Sequence, residues 1–472
     1  TDSRQRAMFF SSLNVIITTD SFTTIQKYQF LQNSYICVVQ PSNKHFLGIP
    51  LLLWFALLIT VIIYSRFLFF GHISWDDPEM VFKNKDVQQF DIGSFFSKHY
   101  VGNYIPVTMM LHGLIWQVFG EHDGGHHLIN LLLHLLSGIM VYKVGQRLFQ
   151  QSFVSIFGAL VFLLHPLQLE SVGWISELKT VLSSLFSLLT IHFFMVFSEK
   201  QTIPGYLKLL LFTVLALLSK SSAVMLAPMF LCLDFFLHQR VRVNLVALLL
   251  PFFLLSFITG YINLQTQSAD HFINLSHAFP IWQRFGNAGF AMLNYTLMFM
   301  APIHLSVIYP FPAFSATVML LGYGTWCLLL VLAWRLWTIK NWKAIPVAAF
   351  IFLNLVLLLQ FIPFGEVLVA DRYMYLPLIG FAWLLGLLLN KLSLGSNPPL
   401  VVLALLLGGL SLGSSARWKT SLSLYESILE YYPNEFVALN SAGVECMFLN
   451  EHSKALDYFN RASKSAPQNY KG

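Results

Sequence analysis

Charged side chains are scarce in this sequence: aspartate, glutamate, lysine and arginine make up 11% of its 472 residues. A soluble domain carries about 25%, so this chain lacks the side chains needed to cover a surface in water. Hydrophobic residues reach 56%, with 44 phenylalanines and 11 tryptophans that suit lipid-facing surfaces and interfacial belts. The lipid bilayer is therefore the expected solvent. The net charge of +6 does not indicate nucleic-acid binding, because the basic residues are scattered between apolar runs.

Signatures of cofactors are missing as well. The four cysteines lie far apart without CxxC spacing, so neither a zinc site nor a disulfide framework is predicted. No glycine-rich phosphate loop is present, which argues against a nucleotide-bound substrate. His126, His127 and His134 could suggest a metal, but no cysteine or carboxylate shares their helix face, and packing histidines explain them better. We expect no metal and predict no cofactor.

Long apolar runs are abundant, and a spanning helix needs about 20 such residues. Eleven runs qualify: 47–70, 126–148, 152–169, 178–197, 205–219, 221–238, 243–263, 316–337, 344–362, 375–390 and 398–414. The run 284–302 is also apolar but contains Arg284, Asn287 and Asn294. If it crossed the membrane, the basic stretch RLWTIKNWK would lie outside, against the positive-inside rule. We therefore predict about 11 crossings, with 284–302 re-entrant or interfacial.

This pattern divides the chain into three regions. Residues 1–46 are mixed in character and are expected to form a cytoplasmic segment of unassigned role. Residues 47–416 are predicted to be an all-α, polytopic membrane bundle with a long first outer loop at 71–125. Within that loop, NYIPVTMMLHGLIWQVFG has apolar residues at helical spacing and predicts a helix on the membrane surface.

The third region, 417–472, is polar and is predicted to lie outside the cytoplasm. Pro433 and Pro467 are 34 residues apart, which is the period of tetratricopeptide repeats. Small residues between them, such as Gly443 and Ala455, would let the two helices of a repeat approach closely. One and a half units cannot bury a continuous core alone. We expect this module to pack on the membrane domain or to be followed by further repeats, and it could bind a partner protein.

Two adjacent acids follow the first span. Asp76 and Asp77, in SWDDPE, are costly at a membrane–water boundary unless they are hydrated, paired or used. A structural interpretation is a helix cap, because Asp77 precedes Pro78 and proline favours the first helical position. A catalytic interpretation is a general base, because two neighbouring carboxylates raise the pKa of one of them.

Further charges lie at predicted outer turns. Glu170, Glu177 and Lys179 occur in HPLQLESVGWISELK, where the two glutamates, seven apart, would share a face if helical. A solvated loop with a salt bridge is the alternative. Lys220, in LLSKSSAV, is either part of a short turn or, against the positive-inside trend, an anion contact.

The last outer loop contains Asp371 and Arg372 in VADRYMYLP. An arginine there suits bidentate recognition of a phosphate. A structural Asp–Arg pair is an equal alternative.

Seven motifs occur in order: SWDDPEMVFKNKDV, NYIPVT, FGEHDGGHHLINLLLH, HPLQLESVGWISELKTVLS, LLSKSSAVMLAP, PIHLSVIYPFP and DRYMYLPLIG. With the tetratricopeptide-like sequence after them, the chain resembles the transmembrane and tetratricopeptide-repeat O-mannosyltransferase family and its bacterial relatives over roughly residues 50–470. The resemblance implies a GT-C glycosyltransferase fold. It also implies inverting transfer of a sugar from a polyprenyl-phosphate donor, dolichyl-phosphate mannose in eukaryotic members, to a Ser/Thr hydroxyl of an acceptor protein on the non-cytoplasmic side.

The resemblance implies residue roles too. Asp76 and Asp77 would supply the base, and the donor phosphate would bind Lys179, Lys220 and Arg372. Supporting positions would be Glu170, Glu177, Asp371, Tyr104 and His127. A phosphate leaving group needs charge neutralisation rather than protonation, so one carboxylate and one or two cations would form a minimum set.

The sequence departs from the family pattern at three positions. Relatives often carry a basic residue where this chain has Ile105, and an arginine and an aspartate where it has Leu178 and Thr180. These losses keep open a non-catalytic membrane scaffold whose repeat module binds partner proteins. A transporter is weaker, because no inverted repeat is visible. The divergence favours a bacterial inner membrane over the endoplasmic reticulum.

Overall fold

The computed structural model describes residues 45–46, 48–240, 242–270, 279–312, 314–361, 367–392 and 397–465. It contains two compact units, residues 1–51 and residues 52–472. In the first unit, strand β1 (His45–Phe46) pairs antiparallel with β2 (Ile49–Pro50). The predicted cytoplasmic segment 1–46 otherwise lies outside the described residues.

The second unit is helical, as predicted. Its helices are α1 (Leu51–Tyr64), α2 (Lys85–Gln88), α3 (Ile92–Ser97), α4 (Pro106–Phe119), α5 (Asp123–Phe149), α6 (Ser152–Leu164), α7 (Gln168–Gly173), α8 (Leu178–Lys200), α9 (Ile203–Ser219), α10 (Leu226–His238), α11 (Val243–Ala269), α12 (Ile281–Met300), α13 (Ala316–Thr338), α14 (Ala344–Leu355), α15 (Pro377–Lys391), α16 (Asn397–Ser415), α17 (Ser421–Tyr431), α18 (Phe436–Phe448) and α19 (His452–Ser465). A small antiparallel sheet pairs β3 (Tyr309–Pro310) with β4 (Val367–Val369).

Seven helical stretches of the described chain are long and apolar enough to cross a bilayer: Leu51–Phe69, Asp123–Phe149, Ile175–Lys200, Ser221–His238, Val243–Ala269, Ala316–Thr338 and Pro398–Trp418. The other four predicted spans contain the shorter apolar helices α6, α9, α14 and α15. Helix α6 ends at Leu164, five residues before the predicted end of that span, because Pro166 follows and cannot continue a helix. The multi-pass helical membrane fold is confirmed, while the count of eleven crossings stays a prediction.

The loops after α1, α6, α9 and α14 meet at one end of the bundle, which we call the site end. Direct contacts define it: Asp77 bonds Ser176, Lys220 pairs with Glu177, and Arg372 pairs with Glu170. The long loop after α1 forms a small helical layer there, in which α2, α3 and α4 share an apolar core around Val87, Phe95 and Met109. The helix predicted within NYIPVTMMLHGLIWQVFG is confirmed as α4.

Residues 284–300 of the ambiguous segment 284–302 lie in one unbroken helix, α12, which ends at Met300. Near its beginning, the Trp282 ring packs on Phe314, which precedes α13. At its end, the Phe299 carbonyl contacts His165 Nε2 at 3.1 Å, in the loop after α6. A re-entrant turn is thus not observed in α12, whereas an interfacial position stays a prediction.

The C-terminal module consists of α17, α18 and α19. Helices α18 and α19 pack closely, since a Cβ atom added to Gly443 would lie 2.7 Å from the Phe459 ring. Ala442, Ala455 and Ala462, on the same two helices, are buried. The predicted helices and the small residues between them are therefore observed, while their classification as a tetratricopeptide repeat stays a prediction.

Candidate active site

The two acids after α1 have different surroundings. Asp77 is fully buried: its Oδ2 accepts a hydrogen bond from the Ile73 N–H at 2.8 Å, and its Oδ1 accepts from the Ser176 N–H at 2.8 Å and from the Ser176 hydroxyl. The side chain makes no helix-capping bond, although Pro78 follows it. Burial raises the pKa of Asp77 to about 6, and the bonds from Ser176 and Ile73 oppose that rise. Asp77 thus joins the loop after α1 to the turn before α8.

Asp76 is the accessible member of the pair. Its side chain is 31% exposed, and its Oδ2 lies 3.9 Å from Lys179 Nζ. This carboxylate can therefore be reached from solvent, whereas that of Asp77 cannot. The bonds of Asp77 to Ile73 and Ser176 hold the backbone that carries Asp76.

Glu177 lies beside all three basic side chains that are predicted to bind the donor phosphate. Its carboxylate lies 3.3 Å from Lys179 Nζ, 3.3 Å from Lys220 Nζ and 3.9 Å from Arg372 Nε. Thr180 donates a hydrogen bond to Glu177, and Lys220 donates one to Thr180. The cations come from three distant parts of the chain, and one buried carboxylate brings them together against their mutual repulsion.

Glu170 fixes the position of Arg372. Its Oε1 lies 2.5 Å from Arg372 Nη1, and its Oε2 accepts a hydrogen bond from the Arg372 N–H at 2.8 Å. The helix face predicted for Glu170 and Glu177 is not formed, because α7 stops at Gly173 and Trp174 is extended. Both glutamates nevertheless meet at Arg372.

An indole ring lies beside two of the cations. Lys179 Nζ is 5.9 Å and Arg372 Cζ is 5.7 Å from the centroid of the Trp174 ring. The Trp75 ring, next to Asp76 in sequence, lies 5.9 Å from the same indole. A cation–π contact orients a cation without neutralising its charge, so the Trp174 ring helps to position Lys179 and Arg372.

Asp371 makes a different contact from the one expected. It is not among the ion pairs of Arg372 in the described chain; its Oδ1 accepts a hydrogen bond from the Tyr309 hydroxyl at 2.8 Å. The Tyr309 oxygen in turn accepts from the Ser306 N–H at 2.7 Å. Burial raises the pKa of Asp371 well above its ordinary value, and the charge of Glu170 adds to this. Asp371 therefore anchors residues 301–312 to the site. The predicted Asp–Arg pair is not formed, because Asp371 bonds Tyr309 and Arg372 pairs with Glu170.

Two predicted supporting residues lie apart from this cluster. Tyr104 donates its N–H to Asn263 Oδ1 at 3.1 Å and its hydroxyl to the Phe96 carbonyl at 3.0 Å. His127 is buried, with its ring 5.9 Å from the Phe67 ring. Neither has a hydrogen bond or ion pair with Glu177 or the cations among the described contacts.

The neighbouring histidines take part in helix packing. His126 Nε2 lies 3.1 Å from the Gly120 carbonyl, and His134 Nδ1 lies 2.8 Å from the Tyr375 hydroxyl. Within the described ranges, no group of three His, Cys, Asp or Glu side chains is arranged to hold a metal ion.

The three departures from the family pattern have structural explanations. Ile105 and Leu178 are each 1% exposed, and Ile105 belongs to the apolar core under the first loop. Thr180 keeps a polar role, because it connects Lys220 to Glu177. Ile105 and Leu178 therefore contribute buried apolar side chains. Thr180, where relatives carry an aspartate, removes a potential negative charge from the cation cluster.

A groove begins at the cations. Lys220, Arg372 and Thr180 line it together with Ser183 and Ser187, and its apolar lining includes Ile191, Met229 and Phe350. Thr180 and Ile191 are eleven residues apart on α8, so the groove runs about 16 Å along that helix. A cationic mouth and an apolar body suit an amphiphile with an anionic head group.

Sequence reasoning missed several residues of the site. Ser176 and Trp174 lie beside Glu177, and Trp75 lies beside Asp76, all within the quoted motifs. Tyr309 lies in PIHLSVIYPFP. Their nearness to charged motif positions was the available signal, but their partners come from other parts of the chain.

Sequence comparisons relate this chain to known proteins. A family model described as dolichyl-phosphate-mannose-protein mannosyltransferase matches residues 105–262. A protein O-mannosyl-transferase of Caenorhabditis elegans is 25% identical over 401 residues, which cover 77% of this chain and 55% of that protein. Protein O-mannosyl-transferase TMTC4 of Homo sapiens is 27% identical over 145 residues, 25% of this chain and 20% of that protein. The chain thus spans about half the length of the C. elegans relative.

Solved structures show more distant similarity. The oligosaccharyltransferase of Archaeoglobus fulgidus gives a TM-score of 0.46 at 13% identity, covering 77% of this chain and 53% of that one. ArnT from Cupriavidus metallidurans, solved with undecaprenyl phosphate, gives 0.39 at 12% identity, covering 87% and 74%. Both scores are below 0.5, so the relationship depends on the sequence matches. Those matches agree with the resemblance that the motifs carry: the chain is similar in sequence to protein O-mannosyl-transferases.

Proposed function

We propose that this chain is a membrane glycosyltransferase that moves a sugar from a polyprenyl-phosphate donor to a Ser/Thr hydroxyl of a protein on the non-cytoplasmic side. One observation carries the proposal. Asp76, an accessible carboxylate, lies 3.9 Å from Lys179, at the edge of a cluster whose other cations, Lys220 and Arg372, line an amphiphilic groove. Base and phosphate ligands are thereby adjacent.

The chemistry follows from these positions. Asp76 accepts the proton of the acceptor hydroxyl. At the same time, the oxygen of that hydroxyl forms a bond to the anomeric carbon of the sugar. The bond from that carbon to the phosphate oxygen breaks on the opposite face, so the configuration inverts. The released phosphate ester carries the negative charge, which Lys179, Lys220 and Arg372 stabilise. No proton has to reach the leaving group.

The groove supports a lipid-borne donor. Its cationic part would bind the phosphate, and apolar residues such as Ile191 and Phe350 would contact the prenyl chain. Dolichyl-phosphate mannose is the first donor to test, because the family model that matches residues 105–262 is named for it. No metal or nucleic acid takes part in the proposed reaction.

The membrane and its side remain part of the proposal. The positive-inside rule supports a non-cytoplasmic site. The bacterial inner membrane stays a prediction. Since the quoted relatives come from animals, the endoplasmic reticulum is the first location to examine.

The test measures mannose transfer by the purified protein in lipid nanodiscs. Radiolabelled dolichyl-phosphate mannose is the donor, and secretory proteins from cells lacking this gene are the acceptors. We expect transfer by the wild type, a loss of about 100-fold or more in Asp76→Asn, and little change in Glu79→Gln, an exposed acid of the same loop. Equal transfer by the wild type and Asp76→Asn would reject Asp76 as the base.

The alternative is a non-catalytic scaffold. It gains support from two results together. Neither the wild type nor the variants transfer mannose, and the Asp76→Asn gene restores every phenotype when it is introduced into cells that lack the wild-type gene. Removal of residues 418–472 does not separate the two functions, because the module contacts the loop that carries Asp76. Mass spectrometry of secretory proteins with and without the gene gives the independent readout.

A further inference from the structure

The first helix of the C-terminal module contacts the loop that carries the acid pair. The Ser74 N–H donates a hydrogen bond to Ser421 Oγ at 3.0 Å, at the start of α17. The Ser74 hydroxyl lies 3.0 Å from the Tyr425 hydroxyl, one helical turn later. Tyr425 is fully buried. Both polar groups of Ser74 are therefore held by the module.

The same tyrosine packs on the residue before Asp76. The Tyr425 and Trp75 rings are 5.4 Å apart at an interplanar angle of 61°, an edge-to-face contact. Trp75 in turn contacts Trp174, whose ring lies beside Lys179 and Arg372. A continuous row of aromatic rings thus leads from the module to the cations.

The end of α17 makes a second contact with the site. The Tyr432 ring lies 6.3 Å from the Tyr309 ring, and Tyr309 donates its hydroxyl to Asp371, next to Arg372. The Tyr431 ring packs on His304 at 5.6 Å. One helix therefore bridges the loop that carries the base and the segment that anchors the phosphate-binding arginine.

Asp76 depends on such support from its neighbours. Its nearest charged partner, Lys179, is at 3.9 Å, beyond hydrogen-bond distance. Its position is therefore fixed by the backbone of residues 73–77, which Asp77 holds at one end and Ser74 near the other. A displacement of about 1 Å in a reacting group can cost about 100-fold in rate.

We propose that Tyr425 is a positioning residue of this site, which holds Ser74 and Trp75 so that Asp76 stays in place for proton transfer. The module is then a part of the catalytic assembly. This inference rests on the proposed glycosyltransferase function where it concerns catalysis, while the coupling of the module to the loop is testable without it.

Three variants test the Ser74–Tyr425 bond; the Tyr425 hydroxyl also bonds Ser441, and the double variant separates that contribution from the one of Ser74. Tyr425→Phe keeps the ring against Trp75 and removes the hydroxyl, and Ser74→Ala removes the other partner; the third variant combines both. The control is Tyr458→Phe, which also removes one tyrosine hydroxyl from the module, where it bonds Glu426 at 3.1 Å. All are made in the full chain.

The kinetic readout is a double-mutant cycle. We expect kcat to fall about 3–10-fold in each single variant, the equivalent of one hydrogen bond, and no further in the double variant. The KM for dolichyl-phosphate mannose and the thermal midpoint should stay near those of the wild type, and the control should keep kcat. Additive losses, or a fall in midpoint at unchanged kcat, would overturn the positioning role.

Hydrogen exchange of the backbone amides gives the readout that needs no activity. The Ser74 amide and its neighbours through Asp77 should exchange faster in Tyr425→Phe than in the wild type and the control, while amides around Lys220 should not change. Unchanged exchange at Ser74 would overturn the coupling. If the wild type transfers no mannose, the proposed function fails on its own, and exchange alone decides whether the module holds the loop.

Discussion

The carboxylate of Asp77 accepts two hydrogen bonds from Ser176, one from the backbone N–H at 2.8 Å and one from the side-chain hydroxyl. These bonds join residues that are 99 positions apart in the chain. They also separate the roles of the acid pair, because Asp77 has no exposed surface while Asp76 retains 31%. The pair is therefore one structural acid and one accessible acid.

Replacement of Asp77 should affect folding more than replacement of Asp76. In Asp77→Asn the amide group presents N–H donors to a site where Ile73 and Ser176 already donate. An unsatisfied buried donor costs about 1–3 kcal/mol. We expect a lower thermal midpoint in detergent micelles for Asp77→Asn, and a midpoint near wild type for Asp76→Asn. Equal midpoints for the two variants would contradict the assigned roles.

Stability should depend on pH through Asp77. Its pKa is about 6 when folded, above the ordinary 3.8, because burial disfavours the charged form. Ionisation is thus easier in the unfolded chain. The stabilising contribution of Asp77 to the free energy of unfolding is therefore full below pH 4 and is lost as pH rises through 6. Across this pH range the free energy of unfolding falls by about 3 kcal/mol because of Asp77. Unfolding midpoints at pH 4.5, 5.5 and 7 should fall more in the wild type than in Asp77→Asn; parallel profiles would exclude this contribution.

Lys220 should contribute to donor affinity. It lines the groove, and its removal leaves Glu177 paired with Lys179 and near Arg372. A charge-assisted hydrogen bond to a phosphate stabilises binding by about 1.5–3 kcal/mol, or roughly 10–100-fold. We expect Lys220→Gln to raise the dissociation constant for dolichyl phosphate, measured by native mass spectrometry, by about 10-fold or more. The matched control is Lys208→Gln, an exposed lysine on the preceding helix; equal losses in both would point to a nonspecific charge effect.

Arg372 should stabilise the fold through Glu170. Arg372→Met leaves Glu170, 2% exposed, without its cation, and breaking a buried ion pair from one side costs about 3–5 kcal/mol. Adding Glu170→Gln removes the buried charge and keeps an acceptor for the residue 372 N–H. The double variant should therefore unfold at a higher temperature than Arg372→Met alone. A lower midpoint for the double variant would show that the glutamate has another essential partner.

Helices α12 and α13 should tolerate no side chain at their crossing. A Cβ atom at Gly322 would lie 1.9 Å from the Gly286 carbonyl oxygen, whereas one at Gly324 would meet nothing within 4 Å. Gly322→Ala should lower the unfolding midpoint, as overpacking of about 1–3 kcal/mol does. Gly324→Ala, on the same helix, serves as the control. Similar midpoints for both would mean that the helices separate easily.

The sequence predicted the helices well and the boundaries less well. Each predicted span contains a helix, because about 20 apolar residues in a row specify a membrane helix locally. Segment 284–302 was ambiguous because its apolar content suits both a crossing and an interfacial helix. Its packing decided the shape: Phe314 and His165 contact opposite ends of one unbroken helix.

The candidate site was predicted in part. The motifs pointed to Asp76, Lys179, Lys220 and Arg372, which the structure brings to one cluster. Tyr104 and His127 lie elsewhere, since a motif position shows that a residue recurs in a family and not what it touches. The role of Tyr425 had no local signal, because an aromatic residue on a helix usually indicates core packing.

The sequence by itself determined that this is an integral membrane protein with polar residues at the ends of its apolar helices. It could do so because hydropathy and helix length are local properties of the chain. Only the tertiary structure decided which acid is accessible, which carboxylate lies beside all three cations and which helix contacts the loop with the acid pair. Those answers depend on buried charges and hydroxyls finding partners from distant segments, and no local pattern specifies such pairs.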